Sequence, residues 1–317
     1  MSEQPLRLLL AGEGGIAGVH MRALGEIPGV EVACLVGGDE ADARAFAAEW
    51  GIPEVSLDLD AALARDDLDA VILATPSPRH AEQTERVIAS GKHLLCEIPM
   101  ALSLADAERI TARAEASGRV CMVAHTRRFN PPHRELRRRL AAGEFHLQHL
   151  VSETYFFRRE NLNMQGQPRR WVDNLLWHHA CHSVDLFAWL LDDPEIEAWG
   201  SRGPDHPELG IPMDMSIGLR SRRGVLATLA LSFNNRGPFG GFYRYIGEED
   251  TFRAFRDELE DHRGESVPLS GSGFLDQDRE FVAAIREGRV PEASFSSCLP
   301  SMRVLDRLQQ SMASSLA

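Results

Sequence analysis

Three histidines fall within five positions of the segment Trp177-His178-His179-Ala180-Cys181-His182-Ser183-Val184-Asp185. Imidazole is the side chain best suited to exchange a proton near neutral pH, so such a cluster is a candidate for acid–base work. Residues 178, 182, 185 and 189 recur at helical spacing, and a helix predicted over residues 173–191 would place His178, His182 and Asp185 on one face. In that arrangement an imidazole of this face would serve as general base for alcohol oxidation, and Asp185, one turn away, would orient it or stabilise its charged form. Two other readings stand beside this one. Histidines at i and i+4 resemble half of a zinc helix, but H-E-x-x-H fails because position 179 is His, and no metal is expected. Histidines can also simply satisfy a core or an interface.

A second set of residues suits anions. Arg127, Arg128, Arg158, Arg159, Arg169 and Arg170 flank the histidine segment in a chain whose formal net charge is −13. Each charge-assisted hydrogen bond to a carboxylate contributes about 1.5–3 kcal/mol, so two anchored carboxylates would set much of a substrate's orientation. Asn161, Asn163 and Asn234 offer partners for hydroxyls. Arg134, Arg137, Arg138 and Arg139 read as the solvated face of a helix. Lys92 is the only lysine, so any mechanism that needs one must use it.

The third set binds a dinucleotide. Gly12-Glu13-Gly14-Gly15-Ile16-Ala17 matches G-x-G-x-x-G/A directly after an apolar run and before a helical pattern. Gly12 allows the tight turn, Gly14 lets backbone approach the pyrophosphate, and Ala17 permits close packing of helix on strand. The amides around Gly15 and Ile16 open the helix toward phosphate. The second strand ends Val36-Gly37-Gly38-Asp39, with neither the acid of an NAD site nor the arginine of an NADP site at its tip. Asp39 is close enough to bond ribose hydroxyls or, equally, to cap the next helix. The cofactor is therefore NAD or NADP, leaning to NAD. Two proline turns at strand ends, Thr75-Pro76 with His80 behind it and Glu97-Ile98-Pro99, read as nicotinamide-side loops or, taken singly, as plain turns.

Positioning these groups requires two domains. Apolar runs at residues 6–11, 30–36, 70–74, 93–96 and 120–124 alternate with helical patterns at 20–26, 41–50, 80–90 and 105–117. That is the grammar of an α/β domain with a doubly wound parallel sheet, assigned to residues 1–124. Residues 125–317 read differently: a helix from Pro131 to Gly143, a strand over 146–157, the histidine helix, then strands over 196–200, 213–219, 225–233 and 241–246. Turns between them indicate an α+β domain with a large, mostly antiparallel sheet. Helices over 277–287 and 300–314 close the chain. Net charge argues against nucleic-acid binding. Five scattered cysteines and no apolar run of membrane length point to a cytoplasmic protein with reduced thiols and no membrane partner.

With these motifs in place, the chain resembles the glucose–fructose oxidoreductase/inositol dehydrogenase (Gfo/Idh/MocA) family over nearly its full length. The family's E-K-P motif stands here as Glu97-Ile98-Pro99, without its lysine. Its D-x-G-x-H-x-x-D motif stands as residues 178–185, where His182 and Asp185 match and His178 replaces the first acid. The segments EIP, HTRRFNP, TYFFRR, LLWHHACHSVDLFA, HPELGIPMDMSI, LSFNN and DREFVAAIREGR are similar to one branch of that family. The resemblance implies an NAD(P)-dependent dehydrogenase that oxidises a cyclic hemiacetal carrying carboxylates, with Arg127, Arg128, Arg158 and Arg169 holding those carboxylates. That branch carries an arginine near position 38, favouring NADP, whereas Gly38 occupies it here. The resemblance also implies a homodimer or larger homo-oligomer through the C-terminal sheet. A sugar or polyol dehydrogenase and a non-catalytic NAD-sensing or scaffold protein are the competing readings.

Overall fold

The computed structural model describes residues 5–163, 166–169 and 171–314, so Arg170 lies outside the described residues. The chain divides into two compact units. The first holds residues up to His125 together with Leu162–Pro168 and Phe274–Leu299, and the second holds Thr126–Asn161, Arg169–Gly273 and the chain from Pro300 onward.

The first unit is built on six parallel strands: β1 (Leu6–Ala11), β2 (Val30–Val36), β3 (Glu54–Ser56), β4 (Ala70–Leu73), β5 (His93–Cys96) and β6 (Cys121–Val123). Their spatial order β3-β2-β1-β4-β5-β6 is that of a doubly wound dinucleotide-binding sheet. Apart from Arg7 and His93 near the strand starts, β1, β4 and β5 are apolar because helices cover both faces: Leu8, Leu9, Leu10, Val71, Ile72 and Leu95 are fully buried. Around them run α1 (Gly15–Gly25), α2 (Glu40–Trp50), α3 (Leu59–Leu63), α4 (His80–Ala89) and α5 (Leu104–Ser117). Reading the sequence missed β3 and α3. β3 has three residues and α3 five, too few to display a period.

The second unit opens with α6 (Pro131–Ala142), which starts on two prolines and stops at Gly143 in the left-handed conformation. β7 (Leu147–Tyr155) then enters a seven-stranded sheet with β8 (Glu197–Arg202), β9 (Asp214–Arg220), β10 (Leu226–Ser232), β11 (Gly240–Gly247), β12 (Thr251–Phe255) and β13 (Glu258–Glu260). The order is β13-β12-β11-β7-β10-β9-β8, and every pairing is antiparallel except β7 with β10. Alternation is clean in β9 and β10, where Met215, Ile217, Leu219, Ala227, Leu229 and Leu231 are buried and the intervening residues are not. β12 and β13 were not anticipated.

The histidine segment departs from expectation at its start. In place of an α-helix from residue 173, the side chain of Asn174 accepts the Trp177 amide and begins a π-helical turn, Leu175–Ala180. The Cys181 amide donates to the Leu176 carbonyl five residues back, and only then does α7 (Cys181–Leu191) begin. Such π turns recur at functional sites. α8 (Gly273–Glu287) and α9 (Phe295–Ser314) complete the chain, α9 with Pro300 inside it rather than at its start. No described helix is long and apolar enough to cross a membrane.

Candidate active site

At the carboxyl end of β1 the chain turns through Gly12, whose φ is +112°. A Cβ there would lie 2.4 Å from the Ala74 carbonyl oxygen, so only glycine fits between β1 and the segment after β4. Gly14 then caps α1 without a side-chain hydrogen bond, and a Cβ on it would meet nothing within 4 Å. The space beside Gly14, at the start of the helix whose first-turn amides are those of Gly15, Ile16 and Ala17, is thus open, as close approach of a pyrophosphate needs. The residues present therefore fit a dinucleotide. Asp39 caps α2, its Oδ1 accepting the amides of Ala41 (2.9 Å) and Asp42 (3.2 Å). Of the two roles open to Asp39, the cap is the one occupied. The backbone at Gly38 meets another acid, Glu13, which sequence reasoning passed over.

The two proline loops are tied together. His80 is buried at the start of α4, with Nδ1 2.8 Å from the Pro99 carbonyl and Nε2 2.7 Å from the Thr75 carbonyl. One imidazole thus straps the loop after β4 to the loop after β5, while burial holds its pKa below the ordinary histidine value. Beneath the second loop lies a buried array. Asp278 of α8 pairs with His20 Nδ1 at 2.8 Å, His20 Nε2 lies 3.1 Å from Glu97 Oε1, and Glu97 Oε2 accepts the Ile98 amide at 3.0 Å. Burial alone would lower the His20 pKa, but the charge and hydrogen bond of Asp278, joined by Glu97, push it up to about 10. A charged imidazolium between two carboxylates holds the backbone at Ile98, where the family has its lysine.

Lys92 is remote from this end of the sheet. It immediately precedes β5, and its buried Nζ donates to the carbonyls of Arg65 (2.7 Å) and Leu68 (2.9 Å). At about 3.3 Å per residue, a strand puts it about 16 Å from Glu97. The one lysine closes the opposite end of the sheet, bonded to two backbone carbonyls.

In the second unit, ten of the eleven residues of α7 are buried, and the exception is His182. The helix thus presents one titratable group outside its core. Asp185 is fully buried and bound by a bidentate fork, Arg128 Nε to Oδ2 and Arg128 Nη2 to Oδ1, both 2.7 Å, with Ser301 Oγ adding a third bond at 2.8 Å. Arg128 was expected on a substrate carboxylate. It is instead only 2% exposed and anchors α7 through Asp185. His178 accepts the Asn174 amide on Nδ1 at 3.1 Å, which places the proton of the neutral ring on Nε2, and Trp171 stacks on its face.

Arg158, Arg169 and His179 converge on Asp173. Arg158 bonds both carboxylate oxygens, Arg169 Nη2 donates to Oδ1 at 2.6 Å, and His179 Nε2 lies 3.2 Å from Oδ2. Burial would raise the Asp173 pKa, but the bonds and charges of His179 and Arg158 outweigh it and hold the carboxyl well below the usual range. Phe233 lies under Arg158 and Trp171 under Arg169, fixing both guanidinium planes. Two guanidiniums share one carboxylate, so the cluster keeps a net positive charge. Arg127 lies over Tyr243 and donates to Asn130, and Arg159 lies over Phe157. Exposed Asn234 bonds Asp214 on β9, while the Asn161 amide donates to the carbonyls of Arg169 and Trp171.

Comparison with known proteins gives these features a family. Residues 6–125 match the oxidoreductase family with NAD-binding Rossmann fold, and residues 131–273 match the C-terminal region of bacterial oxidoreductases. The chain is 47% identical, over 96% of its length and 98% of the relative's, to 4-carboxy-2-hydroxymuconate-6-semialdehyde dehydrogenase of Sphingobium sp.. It is 32% identical over 195 residues, 60% of this chain and 55% of the relative, to scyllo-inositol 2-dehydrogenase (NAD(+)) of Bacillus subtilis. In fold it is similar to a 3-ketoreductase from Actinomadura kijaniata in complex with NADP, with a TM-score of 0.84 and 22% identity over 97% of this chain and 98% of that one. The chain belongs to the Gfo/Idh/MocA family of NAD-binding oxidoreductases and is an NAD(P)-dependent dehydrogenase.

Proposed function

We propose that this enzyme oxidises the cyclic hemiacetal of 4-carboxy-2-hydroxymuconate-6-semialdehyde to 2-pyrone-4,6-dicarboxylate, in the cytoplasm and with NAD as the preferred cofactor. The observation that carries this reading is the 47% identity spanning almost the whole of both chains. Residues 1–124 bind the nucleotide in this reading, and residues 125–317 bind substrate. The cofactor, when bound, supplies a hydride acceptor. His182 takes the hemiacetal hydroxyl proton as the ring carbon loses its hydride and the C–O bond becomes the lactone carbonyl. His178 donates from Nε2 to a substrate oxygen. The positive Arg158–Arg169 cluster, with Arg127, receives the carboxylates, while Arg128 and Asp185 hold α7 in place. No lysine is needed, in keeping with Ile98 in the family's lysine position and with the structural bonds of Lys92.

The test mixes purified protein with the ring-cleavage semialdehyde and NAD or NADP and follows absorbance at 340 nm. Turnover with myo-inositol or sugars and none with the semialdehyde would replace this assignment with the polyol reading. We further propose self-association through the open face of the seven-stranded sheet. There Trp199 is 52% exposed and lies across Gly218, whose missing Cβ makes room for the indole. Light scattering on the wild type and on Trp199→Glu measures this directly.

A further inference from the structure

We infer that Glu13, the second residue of the glycine-rich loop, is the residue that selects NAD over NADP. In a dinucleotide-binding sheet, the tip of β2 carries either an acid that accepts the adenosine ribose hydroxyls or a cation that receives the 2′-phosphate. Here the tip reads Gly37-Gly38-Asp39, and its single acid, Asp39, accepts the first-turn amides of α2 with Oδ1, which ties it to the start of that helix. The carboxylate arrives from the neighbouring strand. β1 and β2 are paired in parallel, and Glu13 reaches across from the loop after β1. Its Oε1 accepts the amides of Gly38 (2.8 Å) and Asp39 (3.3 Å).

Three consequences follow from this placement. The amides that would otherwise form an anion-binding nest are already saturated by a carboxylate of the chain itself. Oε2 is left for the ribose hydroxyls, the role the strand-tip acid plays elsewhere. A 2′-phosphate would meet Glu13 with Asp39, Glu40 and Asp42 nearby, while Arg44, the one cation of α2, is already paired with Glu40 at 2.8 Å. Small residues at the tip are part of the arrangement: a Cβ on Gly37 would lie 2.4 Å from the Ala43 Cβ and 3.5 Å from the Glu13 carboxyl carbon.

The inference rests on the dinucleotide reading of the loop and deepens the NAD preference proposed above. Its test is direct binding, which does not involve the substrate. Dissociation constants for NADH and NADPH, and for the fragments 5′-AMP and adenosine 2′,5′-bisphosphate, are measured by fluorescence titration and calorimetry. The wild type is expected to bind NADH about tenfold or more tighter than NADPH. Glu13→Gln keeps an acceptor for the Gly38 amide but removes the charge, and is expected to shrink that ratio at least about fivefold, chiefly by tightening NADPH. Glu13→Ala should weaken NADH as well. Wild-type protein that binds NADPH as tightly as NADH, or a ratio unmoved in a folded Glu13→Gln variant, overturns the inference. Wild-type protein that binds neither dinucleotide removes the dinucleotide reading and the inference together, whereas an error in the substrate leaves all these constants unchanged.

Discussion

His182, the proposed base, and Lys92 show at the residue scale how environment sets two titratable groups apart. Both belong to types that move protons, yet one is the only residue of α7 outside the core and the other is sealed under two carbonyls. His182→Ala is expected to lower kcat by about 10²–10⁴-fold, the usual yield of a positioned proton acceptor, with little change in KM. A variant that keeps wild-type kcat at saturating substrate excludes His182 as the base. Lys92→Met should do the reverse: kcat per folded molecule holds, while urea denaturation shows a loss of about 1–3 kcal/mol because two buried carbonyls lose their donor. A collapse of kcat at unchanged stability would return Lys92 to the mechanism.

At the scale of elements, what could be read from the sequence depended on sequence separation. β1, β4 and β5 were legible because both faces are covered and all their residues but Arg7 and His93 are apolar, and the residue 12–17 fingerprint because it is one continuous segment. The π turn was not, since it depends on how Asn174 caps Trp177 rather than on any period. The array beneath Ile98 was hidden because its contacts join residues 77 and 258 positions apart. The pairing of Arg128 was hidden for the same reason, its partner Asp185 being 57 positions away. The array carries its own pH signature. Folding raises the His20 pKa from 6.5 to about 10, so its contribution to stability is complete below about pH 6.5 and disappears as pH rises through about 10. Unfolding free energy should fall by several kcal/mol across that window, and His20→Gln should flatten the slope. Denaturation curves of both proteins at pH 6.5 and 10 decide it, and equal slopes would show that His20 is neutral in the folded state.

Considered as a whole molecule, the enzyme presents a net charge of −13 to the anionic substrate proposed above. In that proposal the attraction is local, from the Arg158 and Arg169 guanidiniums that share the Asp173 carboxylate, whereas the repulsion comes from the entire surface. Salt acts on the two differently. Screening lengths shrink from about 30 Å at 0.01 M to about 10 Å at 0.1 M, which removes long-range repulsion before it weakens contacts inside a partly buried cluster. The kcat/KM for the dicarboxylated hemiacetal should therefore rise a few-fold, by order of magnitude, as ionic strength climbs through that range. Replacing Arg158 with Gln should lower kcat/KM at every salt concentration, because it removes the short-range term and leaves the field in place. If kcat/KM instead falls steadily from the lowest salt, the arginine cluster governs approach as well as binding, and the surface charge has no part in the encounter.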